Sequence, residues 1–150
     1  MWEIGRCLGA VLILLLAVED LRYQKISDKW LWLLGVLALI YQMMIKEWSL
    51  GSVASGIGIG IIFLAVSFFT QEALGFGDSI LICILGVFVG GVELLEILIF
   101  AWSFAGVSAM IILVKKKFAR KAKIPFVPFV AAGYMWVTVG NYLEIMAERV

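Results

Sequence analysis

Two aspartates beside apolar segments are the residues of this sequence best suited to acid–base chemistry. Asp20 follows the apolar run from Trp2 to Val18, and Asp78 directly precedes the run that starts at Ser79. A carboxylate next to hydrocarbon is costly unless it is paired, hydrated or functional. The chain has no histidine, which excludes the Ser-His-Asp and Cys-His arrangements of most nucleophilic hydrolases. Acid–base catalysis would therefore fall to carboxylates, lysine, tyrosine or water.

A pair of neighbouring carboxyl groups can supply both roles that peptide hydrolysis needs. Two like charges within a few ångströms cannot both ionise cheaply, so such a pair shares one proton near neutral pH. The ionised member takes a proton from the attacking water, while the protonated member polarises the peptide carbonyl. This chemistry requires no thiol, metal or cofactor, and we expect none.

The local pattern leaves other assignments open. Glu19 is as plausible as its neighbour Asp20, and Asp28 is suited to cap a second helix. Asp78 is equally compatible with a simple helix cap, because Asp is a preferred N-cap residue and a helix start favours negative charge. Gly75 and Gly77, just before it, indicate a turn or a close backbone approach that a Cβ would obstruct.

The elements that position these acids are predicted to be membrane helices. The chain is 64% hydrophobic and 15% charged, far from the composition of a soluble domain. We predict an all-α, polytopic bundle of about six transmembrane helices that forms a single domain over residues 1–150, with a five-span arrangement as the alternative. The apolar stretches run about Trp2 to Val18, Trp30 to Ile45, Leu50 to Thr70, Ser79 to Val92, Leu94 to Val114 and Phe126 to Met146.

Charge and cysteine content narrow the function further. A net charge of +1 argues against a nucleic-acid partner, which requires a dense basic surface. Cys7 and Cys83 lie in apolar runs without a CxxC partner, so we interpret them as small core residues and expect no metal site. Glycines at 51, 56, 58 and 60 predict close helix packing.

The distribution of basic residues predicts the orientation. Arg22, Lys25 and Lys29 occupy the first predicted loop, and six Lys and Arg residues occupy the fifth, between 115 and 123. With six spans these loops share a side, which the positive-inside bias makes cytoplasmic, with both termini outside. Asp20 and Asp78 then reach the cytoplasmic face at similar depth, so two acids remote in sequence can meet there.

Three motifs resemble those of type IV prepilin peptidases, which are membrane aspartyl proteases. The motifs are GFGD at 75–78, similar to the GxGD signature, DLRYQKIS at 20–27, similar to the first aspartate motif, and IPFVPFVAAG at 124–133, similar to the segment that opens the last span. The resemblance covers nearly the whole chain. It implies that Asp20 and Asp78, rather than Glu19 or Asp28, form the catalytic pair of an aspartic endopeptidase in the cell membrane. The implied substrate is the leader of a pilin-like or flagellin-like precursor, cut after a glycine ahead of an apolar helix.

The sequence departs from the family pattern at three positions. Ser27 stands where the family commonly has a proline, Ile80 where it has a lysine, and Val127 where it has a glycine. Because the cysteine-rich insert of the long members is also absent from this sequence, we expect the short, peptidase-only form without methyltransferase activity. The alternatives are a weakly active diverged homologue and, from another class, a non-enzymatic transporter or pilus-assembly subunit.

Overall fold

The chain folds as a bundle of α-helices. The computed structural model describes residues 2–23, 28–44, 50–70, 75–115 and 125–148. Over these ranges there are six helices and no strand, which confirms the predicted all-α helical bundle. The helices are α1 (Trp2–Tyr23), α2 (Asp28–Met44), α3 (Leu50–Phe69), α4 (Phe76–Val89), α5 (Gly91–Lys115) and α6 (Val127–Glu148).

Three helix boundaries differ from the apolar stretches and change the setting of the acids. Helix α1 continues past Val18, so that Asp20 lies in its last turns rather than in a loop. Helix α4 begins at Phe76, which makes Asp78 its third residue. Helices α4 and α5 are separated by Gly90 alone, whose positive φ of 85° favours glycine. Polar residues at a helix end continue the helix when its backbone hydrogen bonds continue, which apolar patterning does not reveal.

The core lies between α1, α2, α4, α5 and α6. Helix α6 packs against α1 and α5, and α4 packs against α2 and α3. Large apolar side chains are nevertheless exposed on every one of the six helices, as at Leu14, Trp32, Phe68, Phe76, Met110 and Leu143. An apolar exterior of this extent is typical of a protein in contact with lipid.

Two helical segments, Leu50–Phe69 and Gly91–Ile111, are long and apolar enough to cross a membrane by length and composition, and Phe76–Val89 is a shorter apolar helix. With the exposed apolar side chains, these segments identify a membrane protein. The basic residues that predict its orientation lie largely outside the described residues, at positions 25, 46, 116–123 and 149. The cytoplasmic orientation and the number of crossings therefore stay predictions.

Small residues allow α3 and α4 to pack closely. A Cβ on Gly56 would collide with the backbone carbonyl of Gly86, and a Cβ on Gly60 would lie 2.5 Å from the Cα of Cys83. The predicted role of glycines in helix packing is thus confirmed for Gly56 and Gly60, whereas Gly58 faces open space. The prediction that both cysteines lie in the core is wrong for Cys7, which is exposed on α1, and Cys83 is half-buried.

Candidate active site

Asp20 is buried where α1 meets the start of α6. Only 6% of its surface is exposed, and its Oδ2 accepts a hydrogen bond from the backbone N–H of Val127 at 3.1 Å. Val127 is the first residue of α6 and is itself fully buried. The packing of α1 against α6 therefore positions this carboxylate.

The first turn of α6 is suited to hold an anion. The carbonyl of Phe126 accepts hydrogen bonds from the N–H groups of Phe129 and Val130, and Pro128 has no N–H. The N–H of Val127 belongs to the first turn, where a helix offers it no acceptor. Asp20 therefore caps α6 from another helix, at the end where the helix dipole favours negative charge.

Asp78 lies in the first turn of α4 but does not cap it. The N-cap residue is Gly75, and no side chain forms a cap hydrogen bond there. The simple cap interpretation of Asp78 is thus wrong. Its position in the first turn is still one that favours a carboxylate, and its side chain is half-buried.

The two aspartates influence each other electrostatically. Both lie outside the predicted apolar spans, because the first span ends at Val18 and the fourth starts at Ser79. The pKa of Asp78 is raised to about 6, mainly by burial and to a smaller extent by repulsion from the charge of Asp20. Burial also raises the pKa of Asp20, but hydrogen bonds from the backbone of Val127 and Phe126 oppose this rise. The charge of Asp20 thus reaches Asp78, and the two acids have unequal surroundings.

Gly75 leaves room for the Asp78 carboxylate. A Cβ at residue 75 would lie 2.8 Å from Oδ2 of Asp78. The backbone of Gly75, with φ of −54° and ψ of 129°, is open to any residue. A glycine at residue 75 is therefore needed to leave room for the Asp78 side chain, and not to allow an unusual backbone conformation. Gly77 is the second residue of α4 and is half-buried.

The competing acids Glu19 and Asp28 have other surroundings. Glu19 accepts a hydrogen bond from the indole N–H of Trp30 through Oε1 at 2.9 Å, which ties α1 to α2. Asp28 is exposed at the start of α2. Neither forms the contact with α6 that distinguishes Asp20.

The family departures have different consequences for the site. Val127 contributes its backbone N–H, so replacing a glycine with valine keeps the donor to Asp20. Ile80 lies in α4 two residues after Asp78 and adds no cation to the pair. Ser27 lies outside the described residues. In the described part of the chain, no three His, Cys, Asp or Glu side chains are arranged to hold a metal ion.

A second polar cluster lies near the opposite ends of the helices and was not predicted. Arg6 donates a hydrogen bond to Oε2 of Glu93 at 2.6 Å. Asn141 donates to Oε1 of Glu93 at 2.8 Å, and the hydroxyl of Tyr134 donates to the backbone carbonyl of Arg6 at 3.2 Å. These contacts join α1, α5 and α6.

Sequence reasoning also missed the role of the Val127 N–H. Pro125 and Pro128 were the available signal, because prolines cluster where helices begin, but no pattern indicated which side chain would accept that N–H.

Comparison with known proteins identifies the family of the chain. Residues 7–112 match the model of the type IV leader peptidase family. This segment is more than half of the chain and includes both Asp20 and Asp78. No curated protein and no solved structure matches the chain. Because the family match covers most of the sequence, the chain belongs to the type IV leader peptidase family, a family of peptidases.

Proposed function

We propose that this protein is an aspartic endopeptidase that removes the leader from pilin-like or flagellin-like precursors. Cleavage would occur at the cytoplasmic face of the cell membrane, after a glycine and ahead of an apolar helix. The peptidase class follows from the family, and the GFGD, DLRYQKIS and IPFVPF motifs support the substrate. The proposal includes a multi-pass topology and excludes methyltransferase activity.

One observation carries the proposal: among the acids that the structure describes, Asp20 is the one held by the start of α6, and its charge contributes to the raised pKa of Asp78. A backbone N–H that donates to a carboxylate favours the ionised form. Asp20 is therefore the ionised base of the pair, and Asp78 carries the shared proton. A dyad with unequal surroundings has defined acid and base roles.

These roles give a balanced hydrolysis. Asp20 takes a proton from water as the water oxygen attacks the peptide carbonyl carbon, and Asp78 donates its proton to the carbonyl oxygen. The resulting gem-diol breaks its C–N bond as Asp20 delivers its proton to the leaving nitrogen. One hydroxyl of the diol returns a proton to Asp78, which restores the starting pair.

The test is co-expression with a pilin-like precursor, with immunoblotting of precursor and mature product. The wild type should yield mature product, and Asp20→Asn and Asp78→Asn should each abolish it, because either change removes one member of the pair. Asn has nearly the size of Asp, so both variants should remain in the membrane at wild-type level.

The matched control is Glu96→Gln, which neutralises an exposed acid of α5 and should process normally. Processing by either aspartate variant would disprove the dyad. A stable wild-type protein that cleaves no pilin-like precursor would favour a diverged homologue instead.

A further inference from the structure

An apolar groove between α2 and α4 runs along the outside of the bundle. Its volume is about 380 Å3. Helix α2 leaves two of its lining side chains largely exposed, Trp32 at 76% and Leu39 at 60%. The other lining residues that matter here are Asp28 and Gly35 on α2 and Ile80, Ile84 and Val87 on α4.

The groove begins at the level of the two aspartates. Gly35 lies opposite Ile84, whose Cδ1 would be 3.7 Å from a Cβ at residue 35, and the Gln42 side chain donates to the carbonyl of Val87. Helices α2 and α4 therefore run in the same direction. Two turns back from the Gly35 contact, Asp28 comes level with Gly77, the neighbour of Asp78.

One face of α4 connects the groove to the candidate active site. Gly77, Ile80, Ile84 and Val87 follow the spacing i, i+3, i+7 and i+10, which puts them on the same face of a helix. Gly77 has no side chain to block the passage from this face toward Asp78. The hydrogen bond from Trp30 to Glu19 fixes the start of α2 to the helix that carries Asp20. This contact therefore fixes the position of the groove relative to Asp20.

The chemistry of the groove matches one kind of partner. Its wall is apolar, and Ile80 takes the place of the lysine expected from the family resemblance. Asp28 is the one acid among the described lining residues. The hydrogen bond from Trp30 to Glu19 puts it at the end nearest the aspartates. A membrane helix with a cytoplasmic N-terminal flank carries Lys and Arg in that flank. The basic flank complements Asp28 at the mouth of the groove, and the apolar helix complements the apolar wall beyond it.

We propose that the groove between α2 and α4 binds the apolar helix of the substrate, parallel to both helices, and presents the peptide bond before that helix to Asp20 and Asp78. Helix-in-groove recognition of this kind uses side chains from one face of the bound helix. The inference rests on the proposed function, since the acid pair defines which end of the groove holds the cleaved bond.

The first experiment fills the groove in the full-length, reconstituted protein. Leu39→Trp adds an indole inside the groove, whereas Leu33→Trp makes the same change at an exposed residue of α2 that does not line it. Two probes are compared: a pilin-like precursor with its apolar helix, and a peptide that contains the leader and the cleaved bond but ends before the helix.

For the precursor, we expect Leu39→Trp to lower kcat/KM about tenfold through KM, because docking contacts are lost before the chemical step. The short peptide should be cleaved equally by wild type and variant, and Leu33→Trp should resemble wild type with both probes. Normal processing of the precursor by Leu39→Trp would overturn the inference, as would an equal loss with both probes.

The second experiment detects the bound helix directly. A photo-crosslinking residue at position 39 in the Asp78→Asn background should form an adduct with the apolar helix of the precursor, and one at position 33 should not. Adducts with lipid alone, or equal adducts at both positions, would reject the groove. The crosslink does not depend on cleavage. Processing of the precursor by Asp78→Asn would refute the proposed dyad, whereas the crosslinks at positions 39 and 33 would still decide whether the helix binds in the groove.

Discussion

The backbone N–H of Val127 donates a hydrogen bond to Oδ2 of Asp20 at 3.1 Å, and so joins the first residue of α6 to the end of α1. This contact makes the two aspartates unequal. Asp20 faces the positive end of a helix, whereas Asp78 lies near a carboxylate that raises its pKa. In a symmetrical pair either acid could carry the shared proton, whereas in the proposed dyad these unequal surroundings assign it to Asp78.

Removing the Val127 donor should shift the pH dependence of activity. Val127→Pro deletes the N–H at the first helical position, where proline is tolerated, and the pKa of Asp20 should rise. A hydrogen bond to a charged group is worth enough to move the acidic limb of kcat/KM upward by about one pH unit. Val127→Ala, which keeps the N–H and loses only side-chain packing, should leave that limb in place. Equal shifts in both variants would assign the effect to packing.

Neutralising Asp78 should stabilise the protein at high pH. The folded-state pKa of Asp78, about 6, lies above its ordinary value of 3.8. The folded state therefore binds this proton more tightly than the unfolded state, and the stabilisation is complete below pH 3.8 and lost as pH rises through about 6. At pH 8, Asp78→Asn should raise Tm by about 3 °C, the shift that about 1 kcal/mol gives in a domain of this size.

Thermal unfolding of the detergent-solubilised protein at pH 4 and pH 8 measures the effect, which should vanish at pH 4. The exposed Asp28 provides the control, since Asp28→Asn should leave Tm nearly unchanged at both pH values. A destabilised Asp78→Asn variant at pH 8 would contradict the raised pKa.

Substituting Gly75 should impair catalysis without unfolding the protein. The new Cβ in Gly75→Ala would lie 2.8 Å from Oδ2 of Asp78, so the carboxylate must move while the ordinary backbone at residue 75 stays unstrained. Small displacements of reacting groups are expensive, and we expect kcat to fall about tenfold or more. Gly58→Ala adds the same methyl group where a Cβ meets nothing within 4 Å, and it should retain full activity. Equal kcat values for the two variants would show that residue 75 does not position Asp78.

The sequence was sufficient to predict the helices, because apolar runs locate them. The meeting of Asp20 with Asp78 stays a prediction, which the influence of the Asp20 charge on the pKa of Asp78 supports. The sequence could not predict which groups form hydrogen bonds with the polar side chains. The Val127 N–H is a backbone group and leaves no trace in side-chain type. The contact between Arg6 and Glu93 depends on how α1 and α5 pack, and Cys7 is exposed because lipid-facing positions are as apolar as the core. Composition alone does not separate these environments.

The polar cluster at the opposite ends of the helices should contribute stability rather than chemistry. Glu93→Ala removes the carboxylate that accepts from Arg6 and Asn141, and breaking such a largely buried pair costs about 3 kcal/mol. Glu96→Ala, at an exposed position one turn further along α5, should cost little. Unfolding in mixed detergent micelles measures both variants. The pH profile of activity should be the same in each, and a shifted profile in Glu93→Ala would indicate coupling to the acid pair.

Glu19 and Asp20 are adjacent acids whose different partners predict different responses to neutralisation. Glu19→Gln keeps an oxygen that can accept the indole N–H of Trp30, so α1 remains joined to α2 and precursor processing should continue at nearly the wild-type rate. Asp20→Asn keeps the size of the side chain but removes the base, so processing should stop. Trp30→Phe should weaken the joint between the helices and reduce Tm while leaving the pH profile unchanged. If Glu19→Gln abolished processing and Asp20→Asn did not, the catalytic acid of α1 would be Glu19, and the contact with α6 would be structural only.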